Sequence, residues 1–400
     1  METAIDQCYL LLICQNQVSI KFLIRLECIV FKQNTKMADD NQEWLNSLRA
    51  QIDDIDSNIQ SLISNRAQIA NEVAQSKAKS DTGGFYYRPE REAQVLRAVK
   101  QRNNGPLSDE SLIRLFKEIM SACLAQQKPL NIAFLGPEGT FSEMATYNFF
   151  GHSVKAMPES TIDQVFAEVE AGVADFGVVP IENSTEGAVN STLDMFIGSP
   201  LKICGEIDLP IHHNLMSKQA LLKDINVVYS HRQSLAQCRS WLRAHAPQIE
   251  TVAVSSNAEA ARKASFNQHA AAIAGESAAV MYGLNILHSD IEDQADNATR
   301  FLVIGKQLLN KSGDDKSSLM VAGKDEPGVL FQILKPLNDH GVSMKRIESR
   351  PSKKGKWDYV FFIDVEGHVD DDNLSLAIAE MRRFTSNLKV LGSYPKSVLN

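Results

Sequence analysis

The chain has 400 residues, enough for two to four domains at roughly 100–200 residues each. Its 44% hydrophobic and 22% charged residues, with 21 glycines and 13 prolines, exclude a disordered, collagen-like or coiled-coil protein. A formal net charge of -8 argues against nucleic acid as a partner, which needs a basic surface.

Residues 9–31 are largely apolar, but Gln15, Asn16, Gln17, Lys21, Arg25 and Glu27 interrupt them. A spanning helix needs about 20 consecutive apolar residues, and a secretory signal needs a basic start and a small-residue cleavage site. Neither pattern is met, so no membrane is expected as a partner. Met37 then opens a polar, helix-initiating run. We expect residues 1–36 to be an N-terminal extension with no packed role, disordered or upstream of the true start. Cys8, Cys14, Cys28, Cys123, Cys204 and Cys238 form no CxxC pair, which fits scattered thiols in a reducing cytoplasm.

From Gln42 to Lys79 there is no Pro or Gly, and Trp44, Leu48, Ile52, Ile55, Ile59, Leu62, Ile69 and Val73 recur at helical steps. Such a helix is roughly 55 Å long, more than one small lobe covers, so a partner chain is expected along it. Asp81-Thr-Gly-Gly ends it; Pro89 starts a second helix (Glu90 to Gln101) and Ser108 caps a third (Asp109 to Gln127). Arg66 and Lys77 continue the apolar stripe, where a cation is costly unless an anion meets it. Snorkelling or an internal carboxylate accounts for one such residue. With Arg49, Arg91 and Glu92 on the same helices, a pocket for a dianionic ligand is the better account.

Leu48-Arg49, Asn65-Arg66, Glu72-Val73 to Lys77, Arg88-Pro-Glu-Arg91-Glu92 and Glu118-Ile-Met to Gln127 resemble the all-helical chorismate mutases, which are intertwined dimers. The resemblance implies that Arg49, Arg66 and Arg91 bind the substrate's two carboxylates. It gives Lys77 and Gln127 to the ether oxygen and Glu92 to the ring hydroxyl. Arg88 stands where an aspartate often sits and Cys123 where a serine can, both as peripheral substrate contacts. Rearranging chorismate to prephenate is pericyclic and needs only a held conformer and donors at the oxygen that gains charge.

After Lys128-Pro129, strand Asn131–Leu135 runs into Gly136-Pro-Glu-Gly-Thr-Phe-Ser142 and a helix. A glycine turn at a helix N-terminus presents N–H groups to an anion. Taken alone, it fits a structural turn as well as a ligand site. The arrangement recurs: strand Phe176–Val179 before Pro180-Ile-Glu-Asn-Ser-Thr-Glu-Gly187, Val227–Tyr229 before Ser230-His231, and Thr251–Val254 before Ser255-Ser256-Asn257. Alternating strands and helices with polar strand ends predict two α/β lobes closing on a cleft. His212, His213 and His231 lack a third metal ligand at a convincing spacing, so no metal is expected; His288 and Trp241 read as structural.

Gly136–Ser142, Val179–Gly187, Tyr229-Ser-His with Gln237-Cys238, and Asn297-Ala-Thr-Arg-Phe301 resemble prephenate dehydratases. That resemblance implies two lobes like those of periplasmic binding proteins and an essential threonine, Thr299. It places Glu182, Asn183, Ser184, Ser230 and Gln237 in the polar cleft; Thr140, Arg300 and Phe301 are also expected around the substrate, with Arg300 and the helix N-termini as holders of its carboxylates. Aromatisation drives loss of carbon dioxide and hydroxide, so Thr299 reads as a positioned donor rather than a strong acid.

Asn310 to Ser318 is a polar stretch. Beyond it the pattern reads strand (Leu319–Ala322), helix (Gly328–Asp339), strand (Val342–Ser349), strand (Trp357–Val365), helix (Asp372–Phe384), strand (Val390–Ser393), the βαββαβ ferredoxin-like order. Pro327-Gly-Val-Leu330 and Glu348-Ser-Arg-Pro351 resemble the two motifs of ACT domains fused to prephenate dehydratases. Gly328, Val329, Leu330, Glu348, Ser349, Arg350 and Pro351 are thereby implied beside a phenylalanine site at a dimer interface. Gly328 lets a helix N-terminus approach the ligand carboxylate.

The expected layout is multidomain: an all-α three-helix mutase (38–128), a two-lobed α/β dehydratase (131–307), a linker (308–317) and an α+β ACT domain (318–396). The expected activity is chorismate to prephenate to phenylpyruvate in a cytoplasmic homodimer or higher assembly, without cofactor and inhibited by phenylalanine. The alternatives are a single live site, a preference for arogenate, or a non-catalytic sensor.

Overall fold

The computed structural model describes residues 41–76, 86–185, 187–323, 326–351 and 359–398. The expected extension 1–36 and Lys77 lie outside the described residues. The chain divides into two compact units, residues 1–69 and 70–400. In the first, residues 41–69 are wholly helical and begin helix α1 (41–76). Trp44, Ile52, Ile55, Leu62 and Ile69 on its apolar stripe are each more than half exposed.

The second unit opens with α2 (Pro89–Arg102) and α3 (Asp109–Ala125). Proline suits the first turn of α2 because it has no N–H to leave unpaired there. The Ser108 hydroxyl caps α3 by accepting the Ser111 N–H. α3 stops two residues earlier than expected, at a turn where Gln127 Nε2 donates to the Ala70 carbonyl at 2.9 Å. The pair packs on the lobe that follows: Tyr87 meets Phe150 and Phe176, each 5.5 Å between ring centroids. Arg97 donates to the Ser312 and Asp314 carbonyls at 3.1 and 2.7 Å.

The first lobe holds β1 (Asn131–Leu135), β2 (Lys155–Glu159), β3 (Phe176–Asn183), β4 (Gly187–Ala188) and β5 (Lys202–Pro210), with α4 (Phe141–Phe150), α5 (Ile162–Ala171) and α6 (Asn190–Gly198). The second holds β6 (Asn214–Ser217), β7 (Val227–His231), β8 (Glu250–Val254), β9 (Ala270–Ala274) and β10 (Asn285–His288), in the order β10-β6-β9-β7-β8. Its helices are α7 (Arg232–Gln237), α8 (Arg239–His245), α9 (Asn257–Ser265) and α10 (Glu276–Tyr282). The chain then returns through β11 (Ala298–Gly305), which slots into the first sheet as β2-β1-β3-β11-β5, with β4 beside β3. The two crossings meet where the Ile211 N–H donates to the Asn297 carbonyl at 2.8 Å. Parallel pairing of β1 with β2 and β3, and of β7 with β8 and β9, puts the polar turns at strand ends on the inter-lobe side.

The last sheet is antiparallel: β12 (Asp315–Gly323), β13 (Met344–Pro351), β14 (Tyr359–Glu366) and β15 (Thr385–Pro395), in the order β13-β14-β12-β15, with α11 (Val329–Asp339) and α12 (Asp372–Met381). β12 begins three residues before the expected domain start. Its inward side chains there are hydroxyls, Ser317 on the Gly367 carbonyl and Ser318 on Tyr394, so the segment reads as linker although it is buried. One face of this sheet shares a core with the first lobe, where Met320, Phe362 and Leu391 meet Ile181, Phe196 and Leu302.

Gly392 sets how closely the two sheets approach, because a Cβ there lies 2.1 Å from the Ile203 carbonyl oxygen. Gly392→Ala is expected to destabilise the protein by about 1–3 kcal/mol, as overpacking does, read as a lower thermal midpoint. Gly198→Ala, with nothing within 4 Å, is expected to leave the midpoint unchanged or slightly higher.

Candidate active sites

Thr299 and Asn183 are register partners across β11 and β3, and Asn183 Nδ2 donates to Thr299 Oγ1 at 2.8 Å. The same amide reaches Asn297 Oδ1 at 3.1 Å, while Asn183 Oδ1 accepts the Thr185 N–H at 3.0 Å. Asn297 Oδ1 also takes the Ser184 and Thr185 hydroxyls, each at 3.3 Å. On its other side, Asn297 Nδ2 donates to Gln237 Oε1 at 3.4 Å, which carries the network into the second lobe. The fold thus brings Thr299, Asn183, Ser184 and Gln237 together. Asn297 joins them; only its place in the motif signalled it.

The Thr299 oxygen accepts from Asn183, so its own proton is left for another acceptor. A hydroxyl that accepts one hydrogen bond becomes a better donor in the next. Beside this network a cavity of about 240 Å³ opens, lined by Thr185, Gln233, Gln237, Glu292, Asp293 and Asn297.

Gln237 is held in turn by His213, whose Nε2 donates to Gln237 Oε1 at 2.8 Å. Burial pushes the His213 imidazole down, which keeps it neutral at physiological pH. In the sequence His213 stands out only as a metal-ligand candidate; its neighbours show it orienting an amide. The fold gathers His212, Asp290 and Glu292, a grouping that no local spacing reveals. Burial raises the Glu292 carboxyl, yet the His213 N–H and the His212 imidazole at 2.8 Å outweigh it and hold the group below its ordinary value.

Ser230 is fully buried, and its one hydroxyl proton is shared between the Ile273 carbonyl at 2.8 Å and Asn257 Oδ1 at 3.0 Å. Asn257 also accepts the His231 N–H, tying the starts of α7 and α9 together. Ser230 therefore supports the cleft from beneath rather than lining it. Thr140 Oγ1 donates to the Pro137 carbonyl at 2.9 Å, closing the turn before α4. In that turn the Gly139 N–H donates to Glu143 Oε2 at 2.7 Å. Gly139 has φ +78 and sits against Met281 and Ala258 of the opposite lobe, a position where a side chain is strained.

Besides Ser230, three expectations are corrected, for Phe301, Arg300 and Glu182. Phe301 is 2% exposed inside the core of the first lobe with Phe134 and Val303, so it does not line a substrate pocket. Arg300 does not reach a substrate carboxylate either. Strand alternation turns it to the face opposite Thr299. There it meets Glu206 Oε2 at 2.8 Å and Asp364 Oδ2 at 2.7 Å, while Lys316 reaches Glu206 at 2.8 Å. Glu182, opposite Arg300 in register, points the same way and lies 2.7 Å from Arg346 Nε.

In the helical region, Arg49 is exposed and Arg66 half-buried on α1. Arg88 is 3.6 Å from Glu90, Arg91 donates to Gln94 at 3.3 Å, and Cys123 is buried on α3. Glu92 accepts from the buried Tyr87 hydroxyl; burial and that carboxylate push the phenol well above its ordinary value. In the last domain Gly328, at φ +81, opens α11, followed by the half-buried Val329 and exposed Leu330. Glu348, Ser349, Arg350 and Pro351 lie on β13.

Comparison with known proteins agrees with this division. The family models for chorismate mutase type II, prephenate dehydratase and the ACT domain match residues 48–128, 132–308 and 317–380. A bifunctional chorismate mutase/prephenate dehydratase of Stutzerimonas stutzeri is 52% identical over 361 residues, covering 89% of this chain and 99% of that protein. One of Pseudomonas aeruginosa is 50% identical over 367 residues, covering 91% of this chain and all of the relative. Among solved structures, a prephenate dehydratase of Arthrobacter aurescens in complex with L-Phe is 36% identical with a TM-score of 0.62, covering 66% of this chain and 90% of that one. The chain belongs to the bifunctional chorismate mutase/prephenate dehydratase family and carries an ACT domain.

Proposed function

We propose that this chain rearranges chorismate to prephenate on its helical domain and converts prephenate to phenylpyruvate between the two α/β lobes. Phenylalanine bound at the ACT domain inhibits the second reaction. The observation that carries the dehydratase reading is the 2.8 Å hydrogen bond from Asn183 to Thr299 at the junction of the lobes. As prephenate loses its ring carboxylate, the C–C bonding pair enters the ring and the C–O bond breaks. The departing hydroxide takes a proton from the Thr299 hydroxyl and leaves as water, and the threonine is reprotonated from solvent. Asn183, Asn297 and Gln237 keep that hydroxyl aimed, and Ser184 and Thr140 belong to the turns around it. The lobes are of the periplasmic-binding-protein kind, and closing them excludes water from the leaving group.

For the mutase, Arg49, Arg66 and Arg91 hold the two carboxylates of chorismate, Lys77 and Gln127 donate to the ether oxygen, and Glu92 takes the ring hydroxyl. Arg88 and Cys123 lie at the periphery. Arg49 and Arg66 are seventeen residues apart on one helix, about 26 Å along the axis. That distance exceeds the span of chorismate, so one site takes Arg49 from one chain and Arg66 from a second. The exposed apolar stripe of α1 supports the same homodimer, because a second copy of that helix covers it.

The ACT domain has the ferredoxin-like strand order, and phenylalanine binds beside Gly328 and the Glu348–Pro351 strand. The L-Phe complex of the Arthrobacter aurescens relative supports this effector. Free, buried Cys123, Cys204 and Cys238 support a cytoplasmic enzyme.

Thr299→Ala is expected to lower dehydratase kcat by about 100-fold or more while mutase activity is kept, and Arg66→Ala is expected to do the reverse. Loss of both activities in either folded variant contradicts the modular reading. Co-expressing Arg49→Ala and Arg66→Ala chains is expected to restore about a quarter of wild-type mutase activity, since half the dimers are mixed and each has one intact site of two. No recovery in mixed dimers contradicts the shared site.

A further inference from the structure

β13 carries the second ACT motif on a strand whose side chains alternate. Ile347 and Ser349 face outward, while Arg346, Glu348 and Arg350 are half-buried. The inward side meets the dehydratase lobe at two points: Arg346 Nε lies 2.7 Å from Glu182 Oε2, and Arg350 Nη2 donates to Asp194 Oδ1 at 2.9 Å. The Arg346 side chain is 14% exposed, and neither its Nε nor its Nη2 has an aligned acceptor, so its hold on Glu182 is ionic rather than a directed hydrogen bond.

Glu182 is one bond from the site. β3 and β11 shift register between Arg300 and Phe301, which leaves Ile181 as an extra residue and brings Glu182 opposite Arg300. Such a bulge re-aims a side chain; here it turns Glu182 toward the ACT sheet. Asn183 follows directly and donates to Thr299. The other strand is anchored likewise, since Arg300 adjoins Thr299 and pairs with Asp364 of β14. Both residues of the Asn183–Thr299 pair therefore have a neighbour ion-paired to the ACT sheet. The Arg300 anchor is enclosed on all sides by Glu206, Asp364 and Tyr394. The Arg346 contact, at the edge strand and without aligned hydrogen bonds, is the one able to shift.

We propose that Arg346 is a positioning residue for the dehydratase and the point at which the effector reaches it. Arg346 holds Glu182, and with it the end of β3, so that the Asn183 amide keeps the Thr299 hydroxyl aimed. Phenylalanine bound along the outward face of β13 displaces that strand and with it Arg346. The proposal rests on Thr299 being the dehydratase donor.

The test is Arg346→Met in the full chain, with Arg346→Lys and Thr299→Ala assayed beside it. Dehydratase kcat and KM are measured with and without saturating phenylalanine, and phenylalanine binding by equilibrium dialysis. Arg346→Met is expected to lower kcat about tenfold with KM changed less than about twofold. Its inhibition by phenylalanine is expected to fall at least about fivefold while phenylalanine still binds. Arg346→Lys, which keeps the charge, is expected to recover part of both. An unchanged kcat, an unchanged inhibition ratio, or loss of phenylalanine binding in Arg346→Met overturns the proposal. If Thr299→Ala keeps full dehydratase activity, the assignment of the donor fails instead.

Discussion

The ion cluster of Arg300, Glu206, Asp364 and Lys316 joins the sheet that carries Thr299 to the sheet of the ACT domain. Two cations and two carboxylates balance in a place nearly sealed from water. Burial alone raises the Asp364 carboxyl, but Arg300, with help from Ser318 and Lys316, holds it below the ordinary value. A depressed carboxyl contributes stability above its unfolded pKa and loses it as pH falls through the folded value. Charges so enclosed stabilise little as a set, yet removing one strands its partner at a cost of about 3–5 kcal/mol. The cluster therefore acts as a lock on register: neither sheet can slide without separating buried charges.

That constraint explains how adjacent residues serve opposite purposes. Thr299 and Arg300 point to opposite faces of β11, one into the cleft between lobes and one into the ACT interface. The same holds for Asn183 and Glu182 on β3, helped by the bulge at Ile181. The Asn183–Thr299 pair and the ion pairs to the ACT sheet are then separated by one peptide unit. A rigid sheet-to-sheet core containing Met320, Phe362, Leu302 and Ile304 keeps the distance short.

Local pattern was legible where chemistry is local. The stripe of α1, the Ser108 cap and the strand Asn131–Leu135 follow from spacing and capping alone. Only the start of β12, residues 315–318, reads as linker, because Ser317 and Ser318 there are buried hydroxyls satisfied by distant partners rather than apolar side chains. The cleft network was legible as motif types, but the place of Asn297 depends on where two crossings between lobes meet. Arg300 and Phe301 were misread because the motif gives adjacency and not facing. Arg300 finds Glu206 94 residues away and Asp364 64 residues away, contacts that no local window contains.

In the proposed coupling, effector binding acts directly on β3 and β11 through the sheet interface. Hydrogen exchange of the full chain with and without phenylalanine tests it most directly. The account predicts changed protection at the Asn183 end of β3 and the Ala298–Arg300 end of β11, together with β13. Changes confined to the ACT domain, with β3 and β11 unaltered under conditions where phenylalanine inhibits, would contradict it.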